Sequence, residues 1–247
     1  MTVVRTERVG SALLITIDRP EARNAVNAAV AAELSAALDE LEATPQLRVG
    51  VLTGAGGTFS AGMDLKAALK GESPEIAGRG FGGLTEAELT KPLIAAVEGF
   101  AMGGGFELAL GCDLIVAAED AKFGLPEVKR GLIAAGGGVV RLQDRIPHHI
   151  AMEMLLTGEP INGIRAGSLG LANRVVPAGE TAAVAVQLAA KIAENAPLAL
   201  AAVKNVVRAS DRWAAQRTES ARLMTSADVR EGMTAFAERR APQWTGR

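Results

Sequence analysis

Short apolar runs alternate with helical patterns through the first three quarters of this chain, and that alternation limits the folds open to it more than any other feature. Leu13 to Ile17 (LLITI) reads as a strand closed by Asp18-Arg19-Pro20, and Val49 to Leu52 as a second, followed by a turn from Gly54 to Gly57. Pro92 to Val97 and Leu114 to Val116 read as a third and fourth. Between the first two, Val30, Leu34, Leu38 and Leu41 recur at helical spacing, which predicts an amphipathic helix from Asn27 to Glu42 with Asn27 as its N-cap. Strand, helix, strand, helix in this order predicts an α/β fold with parallel strands. The helical patterns differ in length, so a regular solenoid is not expected.

From about Thr181 the chain becomes Ala-rich and helical without strand patterns. Breaks at Asn195-Ala196-Pro197 and Ala209-Ser210-Asp211 divide it into three or four helices, and the charged end, AFAERRAPQWTGR, reads as a docked tail. A core unit over residues 1–185 and a helical unit over 186–247 are therefore expected. The Gly-rich stretch GRGFGG (78–83) reads as a mobile loop or, equally, as an ordered surface turn.

Composition excludes several chemistries. With 247 residues the chain can bury a sizeable core, and a net charge of −2 supplies no field for capturing nucleic acid or an anionic membrane. One cysteine, Cys112, permits neither an intrachain disulfide nor a thiolate zinc cluster; the two histidines, His148 and His149, are adjacent, so no metal site is expected. Tyrosine is absent. No apolar run approaches the roughly 18 residues of a membrane span. The N-terminus lacks a signal-peptide core, and a reduced, cytoplasmic protein is expected.

The glycine clusters fail the nucleotide-binding patterns: Gly103-Gly104-Gly105 meets Leu108 where the dinucleotide fingerprint needs its last glycine, and there is no P-loop. What the stretch VEGFAMGGGFELALGCD (97–113) offers is a strand, three glycines and a helix start, where free N–H groups favour negative charge. Glu107 stands in that first turn, either as a functional acid or as a complement to the helix dipole. A second acid, Glu127, sits in the rigid turn Leu125-Pro126-Glu127, where a solvated surface carboxylate is the plain alternative.

The segments FSAGMDLK (59–66), AVEGFAMGGGFELALGCDLIVA (96–117), AKFGLPEVKRGL (121–132), TGEPINGIRAGSLGLANRVVP (157–177) and ENAPLALAAVKNVV (194–207) together resemble the enoyl-CoA hydratase/isomerase, or crotonase, superfamily, in its order and over nearly the whole chain. Several pieces are most similar to its carnitinyl-CoA dehydratase (crotonobetainyl-CoA hydratase) branch. The resemblance implies an α/β crotonase (ClpP-like) spiral of ββα units with a helical C-terminal region, assembled as a homotrimer or dimer of trimers. It also implies an acyl-CoA thioester substrate, coenzyme A being part of the substrate, with no prosthetic group. By motif position the oxyanion donors would be the backbone N–H groups of Met63 and Gly104. The two acids of the family's hydratases fall on Glu107 and Glu127, here with Glu127 delivering a proton to C2 and Glu107 activating water, or the reverse. CoA contacts would come from Arg23, Ala61, Asp64 and Lys66. One departure is Ala134-Ala135, where many members have proline and glycine; it bears on the acyl pocket. The implied activity is reversible syn hydration of a 2-enoyl-CoA, crotonobetainyl-CoA being the acyl group of that branch. The alternatives are a Δ3-Δ2 enoyl-CoA isomerase using Glu127 alone, a hydrolase of CoA thioesters or 1,3-diketones, or a non-catalytic CoA-thioester-binding protein.

Overall fold

A computed structural model describes residues 2–247. The chain opens with a hairpin of β1 (Val4–Val9) and β2 (Ala12–Ile17), then forms helix α1 (Ala28–Ala43) and returns as β3 (Val49–Gly54). Asn27 caps α1 as expected, its Oδ1 accepting from Val30 N at 3.1 Å. After the short helix α2 (Leu65–Ala68) and the small hairpin β4 (Glu75–Ile76) and β5 (Gly80–Phe81) come β6 (Leu93–Val97), β7 (Phe100–Met102) and helix α3 (Gly104–Gly111). The next pass gives β8 (Leu114–Ala118), β9 (Lys122–Gly124) and a 3-10 turn at Pro126–Arg130. Helices α4 (Gly138–Arg145) and α5 (His148–Thr157), strand β10 (Ile161–Asn162), helix α6 (Gly163–Ser168) and strand β11 (Arg174–Val176) complete the α/β part. Four helices follow: α7 (Thr181–Ala193), α8 (Pro197–Arg208), α9 (Arg212–Met224) and α10 (Ala227–Glu238).

The six-stranded sheet has the order β1-β2-β3-β6-β8-β11, and every pairing from β2 onward is parallel. Its strands alternate between two buried faces, which is why they read as unbroken apolar runs. Leu13, Ile15, Ile17, Leu52 and Leu93 join Leu34, Leu38 and Leu41 of α1 in the main core. Val49, Val51, Ile94, Ala96 and Val116 point the other way, onto Ala185 and Ala189 of α7. Residue 185 therefore lies inside a helix that packs on the sheet.

A second, three-stranded sheet, β10-β9-β7, carries the functional architecture. β7 and β9 run parallel with Ala101 opposite Phe123, and an isolated parallel bridge sets Ser60 beside Ala101. Each pass of the chain thus places one strand in the large sheet and one segment in the small one: β3 then Ser60, β6 then β7, β8 then β9. This is the ββα spiral. The passes differ in length and the Ser60 segment is only a bridge, so no fixed period marks them in the sequence.

The stretch 78–83 begins as a surface turn, with Gly78 exposed at the β4–β5 hairpin, but its remainder runs into the interior. Gly80, Phe81, Gly82 and Gly83 are buried, and Leu84 and Thr85 continue into the interior. Gly82 lies against Leu108 and Gly83 against Ser35, each at positive φ, so these glycines permit close packing on α3 and α1. The C-terminal tail is docked, Trp244 Nε1 donating to Glu194 O at 2.7 Å and Asp228 accepting from Thr245 N and Gly246 N. No helix among the described residues is long and apolar enough to cross a membrane.

Candidate active site

Parallel strands of the small sheet all end on one side, and the segments that leave them meet there, as ligand sites do at the carboxyl ends of parallel strands. Three residues beyond Ser60 comes Met63, and three beyond Ala101 comes Gly104. Beyond Phe123 the chain turns through Pro126 to Glu127.

The first two segments lie side by side. Gly62, at φ +89°, faces the start of α3 so closely that a Cβ there would sit 2.9 Å from Gly104 N and 3.3 Å from Gly105 N. Gly62 is fixed by Val26, whose N–H donates to Gly62 O at 2.8 Å, and Val26 O in turn accepts from Asp64 N at 2.9 Å. That pattern turns the Met63 N–H away from Val26. Among the described residues the N–H groups of Met63 and Gly104 have no acceptor. Gly104 is the first residue of α3, where an unpaired donor and the positive end of the helix dipole coincide. The Phe81 ring lies over Gly104: a Cβ on Gly104 would meet its Cε1 at 2.6 Å.

Glu107 is one turn further along α3 and is only 4% exposed. Its Oε1 accepts from Gly138 N at 2.8 Å. Burial pushes its carboxyl up to about 7; the N–H groups of Gly138 and Gly136 hold it back, while the negative charges of Glu127 and Glu75 push it further. Glu127 is half-buried beside Gly103, where a Cβ would lie 3.0 Å from its Oε1. Burial raises this carboxyl too, and its Oε2 is enclosed without a hydrogen-bond partner. Two acids with raised affinity for protons therefore border a pair of unpaired backbone donors. Such a set can move a proton, hold a water and bind a developing oxyanion.

The raised value at Glu107 has a measurable consequence for stability. A carboxyl that binds protons more tightly when folded stabilises the fold fully below its unfolded value of 4.5, and that contribution is lost as pH rises through about 7. Glu107→Gln cannot ionise, so from about pH 5 to pH 9 it is expected to gain on the native protein by ~1–3 kcal/mol. Urea unfolding at both pH values checks this; parallel curves would contradict it.

The remaining site residues divide. Arg23 is exposed, in a left-handed conformation (φ 51°), and its carbonyl accepts from Ala61 N at 3.0 Å, so these two are neighbours. Lys66 is exposed in α2, five residues after Ala61. The Asp64 carboxylate is committed inward: it caps α2 through Ala67 N (3.1 Å) and pairs with Arg19 (3.1 Å). Burial opposes its ionisation, but the Ala67 N–H and the Arg19 guanidinium together hold it below the usual carboxylate range.

Four residues that carry no motif of their own build this site. Asn24 is fully buried at φ 55° and holds the segment before Ser60: its Nδ2 donates to Ala55 O (2.8 Å) and Thr58 O (2.6 Å), and its Oδ1 accepts from Arg19 N (2.9 Å). An asparagine after Arg19-Pro20 is its one sequence signal, since asparagine tolerates the left-handed region. Arg19, Phe81 and Arg141 have none, because each also meets a partner distant in sequence: Asp64, Gly104 and Thr85 respectively.

Comparison with known proteins agrees with this architecture. The enoyl-CoA hydratase/isomerase family model matches residues 7–247. The chain belongs to the enoyl-CoA hydratase/isomerase family. It is 44% identical over 252 residues to the carnitinyl-CoA dehydratase of Proteus mirabilis, covering 96% of both chains. The same identity holds over 254 residues to that of Escherichia coli K12, covering 97% of both. Among solved structures it superimposes with a TM-score of 0.96 on an enoyl-CoA hydratase from Mycobacterium tuberculosis, at 50% identity over all of both chains. A carnitinyl-CoA hydratase from Mycobacterium avium gives a TM-score of 0.82 at 46% identity, again over all of both chains. The fold is thus the crotonase spiral of this family, with its helical C-terminal region.

Proposed function

We propose that the chain is an enoyl-CoA hydratase, adding water reversibly and syn across the C2–C3 double bond of a 2-enoyl-CoA thioester. The observation that carries this reading is the pair of acids, the buried Glu107 and the half-buried Glu127, beside the free N–H groups of Met63 and Gly104. The thioester carbonyl accepts from those two N–H groups. Glu107, oriented by Gly138, takes a proton from water as the water oxygen bonds to C3. The C2–C3 π electrons move toward the carbonyl, and the oxygen becomes an enolate that the two donors hold without reorganising. Glu127, whose burial favours its protonated form, returns a proton to C2. Hydroxyl ends on C3 and hydrogen on C2, and a second exchange resets the acids. Because the pair shares its protons, the two roles can exchange.

Coenzyme A is part of the substrate, and no prosthetic group has a role in these steps. Arg23, Ala61, Asp64 and Lys66 are the groups proposed to meet its adenine and phosphates, with the Asp64 carboxylate held by Arg19 and Ala67 N. At the acyl end, Glu75 stands directly opposite Phe81 in the β4–β5 hairpin, so its side chain shares the face from which Phe81 covers Gly104. Its charge is felt by Glu107, and its own carboxyl is raised by partial burial and then by the nearby charge of Glu86. Acidic groups beside an aromatic ring suit an acyl group that carries a cation, such as the trimethylammonium of crotonobetainyl-CoA. The helical region 186–247 covers the site and joins a homotrimer or dimer of trimers. Its exposed Val203, Val207, Trp213, Met233 and Phe236 support this, and light scattering on the eluting protein tests it. We place the enzyme in the cytoplasm, where its one thiol, Cys112, stays buried and reduced.

Loss of enoyl absorbance on mixing with crotonobetainyl-CoA and crotonyl-CoA tests the assignment, with the former expected to turn over faster. Retention of both spectra at high enzyme concentration would contradict it. Because Met63 acts through its backbone, Met63→Leu is expected to keep turnover within about fivefold of native, against the ~10²–10³ lost when an oxyanion donor is removed. A loss of that size in steady-state assays would place the donor elsewhere.

A further inference from the structure

Arg141, in the first turn of α4, is partly buried, yet among the described residues it forms no ion pair. Its guanidinium donates instead to two main-chain carbonyls from separate parts of the chain: Nη1 to Gly136 O at 3.2 Å and Nη2 to Thr85 O. Both ends of this bridge lead to the site. Gly136 opens the turn from which Gly138 N donates to Glu107 Oε1, and Gly136 itself lies so near that a Cβ would come 2.8 Å from Glu107 Oε2. Gly137 between them is left-handed (φ +99°), and a Cβ there would meet the Arg141 guanidinium. On the other side, Thr85 N donates to the carbonyl of Phe81, whose ring covers Gly104. One planar group thus ties the segment that orients Glu107 to the segment that roofs the oxyanion donors. A lysine in its place presents a point charge and cannot span two carbonyls with a fixed fork.

We infer that Arg141 is a positioning residue for hydration, acting through Glu107 by fixing the Gly136–Gly138 turn. The inference rests on the reading of Glu107 as one of the two acids. A carboxylate misplaced by about 1 Å costs ~10²-fold in rate, whereas thioester binding through the backbone donors and the CoA rim is largely separate.

The test is a double-mutant cycle in the full-length enzyme, combining Arg141→Gln with Glu107→Gln. Arg141→Lys, which keeps charge and bulk, serves as the second variant where Arg141→Gln folds poorly. Either Arg141 variant is expected to lower kcat by ~10- to 100-fold while KM stays within about threefold. In the Glu107→Gln background the same change is expected to cost less than about threefold, because the group it positions is already disabled. An undiminished cost in that background, or an unchanged kcat in the native one, would overturn the inference alone. A Glu107→Gln enzyme running at the native rate would overturn the reading of the site, and the inference with it.

Discussion

Glu107→Gln and Glu127→Gln are each expected to lower kcat for hydration by ~10²–10⁴-fold, and the double variant to fall little further. Both substitutions keep side-chain size and most hydrogen-bonding capacity, so a loss of this size reports proton transfer rather than packing. Glu107→Gln retains an oxygen that can accept from Gly138 N, the donor now 2.8 Å away, so the turn after Ala135 should stay in place. Glu127→Gln puts an amide where the enclosed, unpartnered Oε2 now lies. Neither amide can take a proton from water or deliver one to C2. Steady-state rates with circular dichroism on each variant separate this from misfolding. A near-native rate for either would break the two-acid account, and full activity in Glu107→Gln with loss only in Glu127→Gln would favour proton transfer by a single acid, as in an isomerase.

The second large effect is expected at Gly62. Its left-handed φ of +89° disfavours any side chain, and a Cβ would stand 2.5 Å from Met102 O and 2.9 Å from Gly104 N. Gly62→Ala therefore combines backbone strain with a wedge between the two segments that carry the free N–H groups. The cost in stability is expected to be about 2–4 kcal/mol, from strain and overpacking together. Activity is expected to fall by ~10² or more in the fraction that folds, because the donors are no longer aimed at one oxygen. Gly57→Ala is the control: it is also left-handed, but nothing lies within 4 Å of the added methyl. It is expected to cost about 1 kcal/mol with no loss of turnover. Chemical unfolding with paired assays distinguishes these results, and equal behaviour of the two variants would contradict the wedge.

Local physics makes part of this molecule legible in its sequence. The apolar runs become β2, β3, β6 and β8 because a parallel sheet buried on both faces needs nothing but apolar side chains. Asn27 caps α1, and Pro197 and Asp211 open α8 and α9, because start signals are written within a few residues of where they act. The strand β1 escapes such a reading: Val4–Val9 is half charged and mostly exposed because it lies at the edge of the sheet with its outer face in water. The second half of the stretch 78–83 misleads because glycine has two uses, and Gly82 and Gly83 serve contact with Leu108 and Ser35 rather than motion. The free donors at the start of α3 can be read from three glycines before a helix. Neither the closeness of Gly62 to Gly104 nor the bridge made by Arg141 can be, since both join segments that only the spiral brings together.

The measurement that bears most directly on the central claim is mass spectrometry of the acyl-CoA product, formed from a 2-enoyl-CoA in ¹⁸O-labelled water. The two-acid account predicts a product heavier by one labelled water, with the oxygen on C3, that disappears in Glu107→Gln. A product of unchanged mass with a shifted double bond would contradict it in favour of isomerisation. Free thiol in place of a hydrated thioester would contradict it in favour of hydrolysis.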